Sequence, residues 1–354
     1  MPTVTHDALR RIGYEFFEAL GCRPDDARVI QDHLVQSNLY GHDSHGIVRM
    51  EQYWRAVREE GVVDPQAAPE VVRDNPCTAV VDAHHGFGQV GAVFATKILI
   101  EKARKNGIAS VSLRNTSHIG RVGEYPHMVA QAGMIGLIFV NAGRLGFQVA
   151  PFGGIDGRLG TNPLAFAAPR RHDPPFFVDM TTSTVADGKI KIAANEGKPL
   201  PEGWIVDAEG NPSTNPSDYW DEPHGAVLPV GGPLGHKGTA LSMLNEICGG
   251  GLSGQGMSQG DMRVDSNGVH MTAYDIGQFV EPEFFYDEID VLISHVKTSR
   301  PAPGVDEVLV ASEPEYRAQR ERAQTGIPID ETTWNKLCDA ARDLGLDPNT
   351  WKLA

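Results

Sequence analysis

Apolar residues recur at helical spacing over His6–Leu20, Pro24–Leu39 and Ser44–Glu60, with Gly21 and Gly41 as breaks. Near Val71 the texture changes. Short apolar runs at Ala79–Asp82, Ile108–Leu113 and Met134–Asn141 alternate with helix-like stretches at Gln89–Lys105 and Gly120–Ala132. That alternation predicts an α/β layer structure. Strand-like runs follow at Leu164–Ala168 and Phe176–Met180, then a helix at Lys237–Cys248. The glycines scattered from Gly249 to Gly260 predict a flexible loop after that helix. Helical spacing returns at Glu313–Gln324 and Asp330–Leu344, and we expect these helices to pack on the N-terminal ones. Apolar runs such as Met134–Val140 are too short to span a membrane and read as buried strands.

At 354 residues the chain has room for two domains. Its formal charge of −15 argues against a nucleic acid or an anionic membrane as partner. A small acidic ligand would need a local basic site, which Arg49 and Arg121 could supply. Cys22, Cys77, Cys248 and Cys338 lie far apart and form no CxxC pair, which disfavours a disulfide framework or a zinc ribbon. Scattered thiols suit a reducing compartment. The N-terminus carries no basic-then-apolar signal pattern, so a cytoplasmic location is expected.

The chemistry concentrates at Gly41-His42-Asp43-Ser44-His45-Gly46 and the residues after it. His45, Arg49 and Tyr53 follow one another at four-residue steps, which on a helix stacks them on one face. Imidazole gains and loses its proton near neutral pH. Guanidinium offers a fork that fits a carboxylate. A base beside a carboxylate clamp suits a small 2-hydroxy or 2-oxo acid. The same spacing also occurs on plain solvated helix faces, so spacing alone leaves both readings open. Asp43 and Ser44 look like N-cap residues, which would put His45 in a first helical turn that favours anions. A neighbouring Asp43 would raise the His45 pKa, and Arg49 or Arg121 would lower it. The pairs His42/His45 and His84-His85 form no metal-ligand pattern, and adjacent residues on a strand point to opposite faces, so no metal is expected. A metal-dependent hydrolase or lyase using His42 and His45 stays as an alternative from another class.

These blocks resemble the malate/L-lactate dehydrogenase family that is distinct from the Rossmann-type dehydrogenases. Ser117-His118-Ile119-Gly120-Arg121, Val149-Ala150-Pro151-Phe152-Gly153-Gly154 and Leu159-Gly160-Thr161-Asn162-Pro163 match in order. Val178-Asp179-Met180-Thr181-Thr182-Ser183, Gly235-His236-Lys237-Gly238 and Arg320-Glu321-Arg322 to Gly326-Ile327-Pro328 continue the match over nearly the whole chain. Within the family the chain is most similar to the bacterial hydroxycarboxylate dehydrogenase branch. The resemblance implies a central non-Rossmann α/β domain with a mixed sheet, residues 73–299. It also implies a helical domain built from both termini, residues 1–72 plus 300–354.

It further implies an NAD- or NADP-dependent oxidoreductase, a homodimer, that interconverts a small 2-hydroxy acid and its 2-oxo acid. A cyclic-imine 2-carboxylate reductase is the alternative within the class. His45 or His118 would be the acid/base, Arg49 would bind the substrate carboxylate and Tyr53 would line the pocket. The cofactor would meet His45, the segment Gly120, Arg121 and Val122 at a helix start, and the segment Phe177, Val178, Asp179, Met180 and Thr181. His236 and the segment Ser312, Glu313, Pro314 and Glu315 would complete its site. In that last segment Ala311-Ser312 stands where the family has Pro-Gly. Gly86-Phe87-Gly88-Gln89-Val90-Gly91 matches GxGxxG, but the acid expected about twenty residues on is absent, since the next strand ends in Leu113-Arg114-Asn115. Arg114 could hint at a 2′-phosphate. A turn-and-packing role for these glycines is the expectation.

Overall fold

The computed structural model describes residues 2–143, 147–172, 174–260 and 266–353. In chain order the first part holds β1 (Thr3–Val4), α1 (His6–Ala19), α2 (Pro24–Leu39) and α3 (Arg49–Arg58). A middle part follows with β2 (Glu70–Asp74), β3 (Thr78–Gly86), α4 (Gly88–Asn106), β4 (Ile108–Thr116), α5 (Glu124–Gln131), β5 (Met134–Asn141), β6 (Leu164–Ala168) and β7 (Phe176–Met180). Next come α6 (Asp187–Glu196), β8 (Ile205–Val206), β9 (Pro212–Ser213), α7 (Ser217–Trp220), β10 (Ala226–Val227), α8 (His236–Asn245), β11 (Asn267–Asp275) and α9 (Pro282–Lys297). The chain closes with α10 (Glu313–Thr325), β12 (Ile327–Pro328) and α11 (Glu331–Asp343).

Local chemistry sets the helices. Thr5 caps α1 by accepting from the Ala8 amide, and Asp330 caps α11 by accepting from Thr333. Pro24 opens α2, with Asp25 and Asp26 in the first turn where the dipole favours negative charge. The apolar faces of α1, α2, α3 and α11 meet in one core that includes Phe16, Phe17, Leu34, Met50, Tyr53 and Leu337. β1 pairs with β12, so the two ends of the chain are joined.

Among the described residues the main sheet has seven strands in the order β2-β3-β4-β11-β5-β6-β7. β3 and β4 are parallel and every other neighbouring pair is antiparallel. This mixed α/β sheet is not the parallel order of a doubly wound dinucleotide fold. α4 and α5 cover one face over a core that includes Val81, Leu99, Leu113, Val129, Ile138 and Met271. A small three-stranded sheet, β10-β8-β9, forms a separate cluster with α6 around Ile190, Ile205 and Val227.

The structure corrects the sequence expectations at several points. The helix expected over Ser44–Glu60 begins only at Arg49, and the one expected from Gly120 begins at Glu124. Gly120 adopts φ +77°, and a Cβ there would fall on the His33 ring, so the chain turns before the helix starts. The expected loop from Gly249 begins instead as a π-helical turn, Glu246–Gly251, with Gly249 and Gly250 buried. His84 and His85 are both left-handed, φ 50° and 62°, rather than regular strand residues. β11, the central strand, was not anticipated, although its buried Val269, Met271 and Ala273 alternate with His270, Thr272 and Tyr274.

The GxGxxG-like turn joins β3 to α4, and its glycines face protein. The Gly88 amide donates to Ser117 Oγ at 2.9 Å. A Cβ on Gly88 would fall on the carbonyl oxygens of Ser117 and His118, and one on Gly91 would press on Ala83 and Leu113. Gly88→Ala should therefore cost about 1–3 kcal/mol of unfolding free energy through overpacking. Denaturant unfolding of the purified variant measures this, and wild-type stability would show that the turn relaxes freely.

Candidate active site

His45 sits in a 3-10 turn, Asp43–His45, between α2 and α3. His118 sits in the loop between β4 and α5. Their imidazoles stack with centroids 5.7 Å apart and planes 25° from parallel, and both rings are half-buried. His118 Nδ1 lies 3.0 Å from Tyr53 Oη, and Gln89 Nε2 donates to the same hydroxyl at 2.7 Å. His45 Nδ1 lies 2.9 Å from Ser44 Oγ. Arg49 Nε donates to the Ser44 carbonyl at 2.7 Å, and Nη1 donates to Gln52 Oε1 at 2.6 Å.

The turn carrying His45 is built by polar contacts rather than by a helix cap. Asp43 receives Arg322 of α10 through both carboxylate oxygens, at 2.6 and 2.9 Å, and Asn38 Nδ2 at 2.7 Å. Asn38 Oδ1 accepts from the Ile47 amide at 2.9 Å. Any side chain at position 46 would collide with Asn38, which is why Gly46 stands there. Asp43 and Ser44 thus do not cap α3, whose N-cap position is Val48 without a side-chain bond. His45 accordingly does not lie over free helix amides, and its own amide donates to the His42 carbonyl.

Electrostatics keep these rings neutral. Burial pushes His45 well below the ordinary histidine value, with Arg49 and then His118 adding to the effect. His118 is lowered in the same way by burial, Arg49 and His33. The upward pull expected of Asp43 on His45 does not win, because Asp43 is already paired with Arg322. His33, behind the site on α2, is pushed down to about 4 by burial, against an opposing pull from Glu124. Its Nε2 accepts from the Arg121 amide at 2.8 Å.

The sequence-nominated cofactor segments fall into two groups. The Arg121 guanidinium is buried, pairs with Glu124, lies 3.8 Å from Asp179 and sits over the Tyr40 ring. The Gly123 amide donates to Asp179 Oδ2 at 2.7 Å. The amide and the cation expected to be spare at Arg121 are therefore engaged within the protein. Phe177 packs in a buried cluster with Tyr40 and Tyr316, which ties β7 to α10 just after Ser312-Glu313-Pro314-Glu315. Ser312 is left-handed at φ +72°, so serine here keeps the backbone that glycine adopts easily. Glu313 pairs with Lys297, and Glu315 lies 3.3 Å from His42 Nε2. Val178, Met180 and Thr181 are half-buried along β7 and just beyond it.

The second group is open. Beyond β7, the Thr182 carbonyl accepts from the Val230 amide at 2.9 Å. That contact brings the 177–183 segment beside the glycine-rich run leading into α8. His236 and Lys237 stand exposed in the first turn of that ten-residue helix, where backbone amides lack intrahelical partners. A helix start with a cation and a histidine fits the pyrophosphate of a dinucleotide. Lys237 and Gln89 were not nominated from sequence, although both lie inside motifs that were.

A cavity of about 350 Å³ opens beside Arg49, between Ser44, Gln52, Lys191, Trp220 and Leu337, and neither His45 nor His118 lines it. Among the described residues no group of three or more His, Cys, Asp and Glu is placed to hold a metal ion, and His42 and His45 turn to different partners. No helix among them is long and apolar enough to cross a membrane.

Comparison with known proteins identifies the family of the chain. The profile of the family described as malate/L-lactate dehydrogenase matches residues 4–338. Hydroxycarboxylate dehydrogenase B of Escherichia coli O157:H7 is 35% identical over 340 residues, covering 94% of this chain and 92% of that one. Malate dehydrogenase of Pyrococcus horikoshii is 36% identical over 337 residues, covering 93% and 91%. The sulfolactate dehydrogenase structure from Methanocaldococcus jannaschii superposes with a TM-score of 0.86 at 31% identity, covering 99% of each chain. The chain belongs to the malate/L-lactate dehydrogenase family.

Burying neutral histidines has a consequence for stability. The unfolded chain takes up protons below the ordinary histidine value near 6.5, whereas folded His33 holds off until about 4. Stability is therefore full above that ordinary value and falls as pH drops below it, by roughly 1.4 kcal/mol per pH unit for His33 alone. His45 and His118 act with the same sign. Unfolding free energies measured from neutral to mildly acid pH should decline, and His33→Gln should flatten the decline. A flat wild-type profile would contradict the buried-neutral assignment.

Proposed function

We propose that this protein is a cytoplasmic, NAD(P)-dependent dehydrogenase that interconverts a small 2-hydroxy acid and its 2-oxo acid. The observation that carries the reading is the stacked His45–His118 pair with Arg49 beside it. Family membership supports 2-hydroxy-acid oxidoreduction, and the exposed α8 start supports a dinucleotide. NAD is the first cofactor to test and NADP the second. Arg114, the residue that could meet a 2′-phosphate, donates to Asp82 through Nε. We place residues 73–299 on the cofactor side, and 1–72 with 300–354 as the helical part that carries His45 and Arg49.

The chain's residues divide the remaining work. When bound, the nicotinamide supplies or accepts the hydride at substrate C2. Arg49 binds the carboxylate and so sets the direction in which C2 points. His45 moves the hydroxyl proton, with His118 as the second candidate. Tyr53, which is buried, holds His118 rather than facing substrate. His236, Lys237 and the 177–181 segment would hold the dinucleotide.

A homodimer is part of the proposal. α9 has no buried residue, and Phe284, Val291 and Leu292 on it are 58%, 60% and 57% exposed. An apolar helix face of that kind suits cover by a second copy. The four cysteines are free, which suits a reducing compartment.

Loss of nicotinamide absorbance over a panel of 2-oxo acids and cyclic imines, each with NADH and NADPH, tests the reading. Turnover of a 2-oxo acid supports it, turnover of imines alone redirects it, and no turnover with any pair rejects it. Arg49→Lys should lose roughly 2–3 kcal/mol of transition-state binding, because lysine lacks the planar fork. Reduction should slow as pH rises through the depressed histidine pKa, so its break should lie on the acid side of about 6.5. Oxidation should show the mirror profile. Light scattering should give twice the 38.4 kDa chain mass.

A further inference from the structure

Glu246 is buried in the π-helical turn Glu246–Gly251, which follows α8. Among the described residues its carboxylate meets only uncharged donors. These are Asn141 Nδ2 at 3.1 Å, Asn162 Nδ2 at 2.6 Å, and the Ser258 amide and hydroxyl at 2.8 and 2.7 Å. A buried carboxylate without a cation beside it is costly, and these four donors offset part of that cost. π-Helical turns recur at functional sites. Gly249 and Gly250 let this one close on the end of β5. A Cβ on Gly249 would meet the Asn141 amide nitrogen and the Gly268 carbonyl oxygen, and one on Gly250 would meet Asn141 Nδ2.

Asparagines carry this hold outward, and backbone partners fix how each amide is turned. Asn141 gives Nδ2 to Glu246 and accepts from the Gly268 amide on Oδ1 at 3.0 Å. The Asn141 carbonyl accepts from Asn267 Nδ2 at 3.1 Å, and Asn267 Oδ1 accepts from the Ile119 amide at 3.0 Å. Ile119 directly follows His118, and its carbonyl accepts from Tyr125 Oη. A second arm runs through Asn162, which gives Nδ2 to Glu246 and accepts from the Ala142 amide on Oδ1 at 3.2 Å. The Asn162 carbonyl accepts from Thr182 Oγ1 at 3.0 Å, just beyond the 177–181 segment. The chain itself is the third arm, because Glu246 follows the helix whose first turn holds His236 and Lys237.

We propose that Glu246 is a positioning residue: through Asn141 and Asn267 on one arm and Asn162 on the other, it sets where His118 stands relative to the dinucleotide segments, and so aligns hydride transfer with the acid/base pair. The alignment rests on the dehydrogenase reading, but the coupling of Glu246 to His118 does not. The donor pattern defines a test. A glutamine at 246 has the same shape, yet one of its terminal atoms is a donor. Placed where Oε1 stands, that donor faces Asn162 Nδ2, while the Ser258 hydroxyl can rotate to accept. Asn162→Asp then restores the pair, since the new carboxylate accepts from the glutamine, from the Ala142 amide and from the Ser242 hydroxyl, which now meets Asn162 Nδ2 at 2.9 Å. The double exchange keeps the buried charge and moves it to the other partner.

Two readouts on the full-length protein test this. One is the isotope effect on kcat with nicotinamide deuterated at the transferred position. The other is NMR of labelled histidine rings, with His118→Gln identifying the His118 signals. Glu246→Gln should lower kcat roughly tenfold to a hundredfold, the loss expected of a misplaced reacting group. It should also raise the isotope effect and shift the His118 signals. Glu246→Gln combined with Asn162→Asp should regain most of the rate and return both readouts toward wild type. A smaller folded fraction would lower the rate and leave the isotope effect where it was. Unshifted His118 signals in a folded Glu246→Gln overturn the proposal, as does lost rate with an unchanged isotope effect. A folded double variant no better than the single one overturns it too. If Glu246→Gln does not fold, Asn267→Asp, which breaks the link to the Asn141 carbonyl and keeps an acceptor for Ile119, decides by the same two readouts. A wild type without turnover on the substrate panel fails the dehydrogenase reading, and the His118 signals then decide the coupling by themselves.

Discussion

The site depends on one carboxylate, that of Asp43. It binds Arg322 through both oxygens and Asn38 through one, and these contacts fold the segment before α3 into a tight turn. Together with the bond from the Ile47 amide to Asn38, they keep that segment from joining α3 as a continuous helix and hold His45 in place. Arg322 stands on α10, near the far end of the chain, so the histidine is aimed by a residue distant in sequence. A bidentate arginine–carboxylate pair fixes orientation as well as distance, which a lone charge would not.

Two opposite electrostatic demands are met in a small volume. The chain as a whole is strongly acidic, yet the immediate neighbours of the two rings are a guanidinium and a further imidazole. The acids near this region are engaged elsewhere: Asp43 with Arg322, Glu124 with Arg121, and Glu315 with His42. A small anion that approaches Arg49 past Glu51 and Asp187, which line the same cavity, therefore meets none of these three carboxylates unpaired. Neutral imidazoles also lose little on being enclosed with it, whereas buried cations would demand compensation.

Much of the architecture was legible in the sequence, and the reason is periodicity. Pro24–Leu39, Met134–Asn141, Leu164–Ala168 and Phe176–Met180 have the ends their patterns suggest, because apolar residues recur in each at the period of its own element, even though α2 also buries Gln31, His33, Ser37 and Asn38. The errors cluster where long-range polar contacts override local preference. The turn at His45 depends on Arg322, the delayed start of α5 on His33, and the π-helical turn at Glu246 on Asn141, Asn162 and Ser258. None of these partners is within reach of a pattern that looks a few residues ahead. The candidate residues show the same split. His45, Arg49 and His118 stood out by type and motif, while Gln89 was hidden among glycines and Arg121 read as available because its burial is a tertiary fact.

The position of β11 has a consequence for how the chain acquires its structure. β4 and β5 lie on either side of it and do not touch, so the strands before and after them form two separate half-sheets until residues 267–275 arrive. β1 likewise waits for β12. Such long-range pairings carry a loop-closure cost that must be met before any contact rewards it. As the protein is made, its first three-quarters holds an open seam with unpaired strand edges on both sides. Completion of the fold is thereby postponed to late synthesis, and the interval before it is when this chain is most exposed to pairing with another.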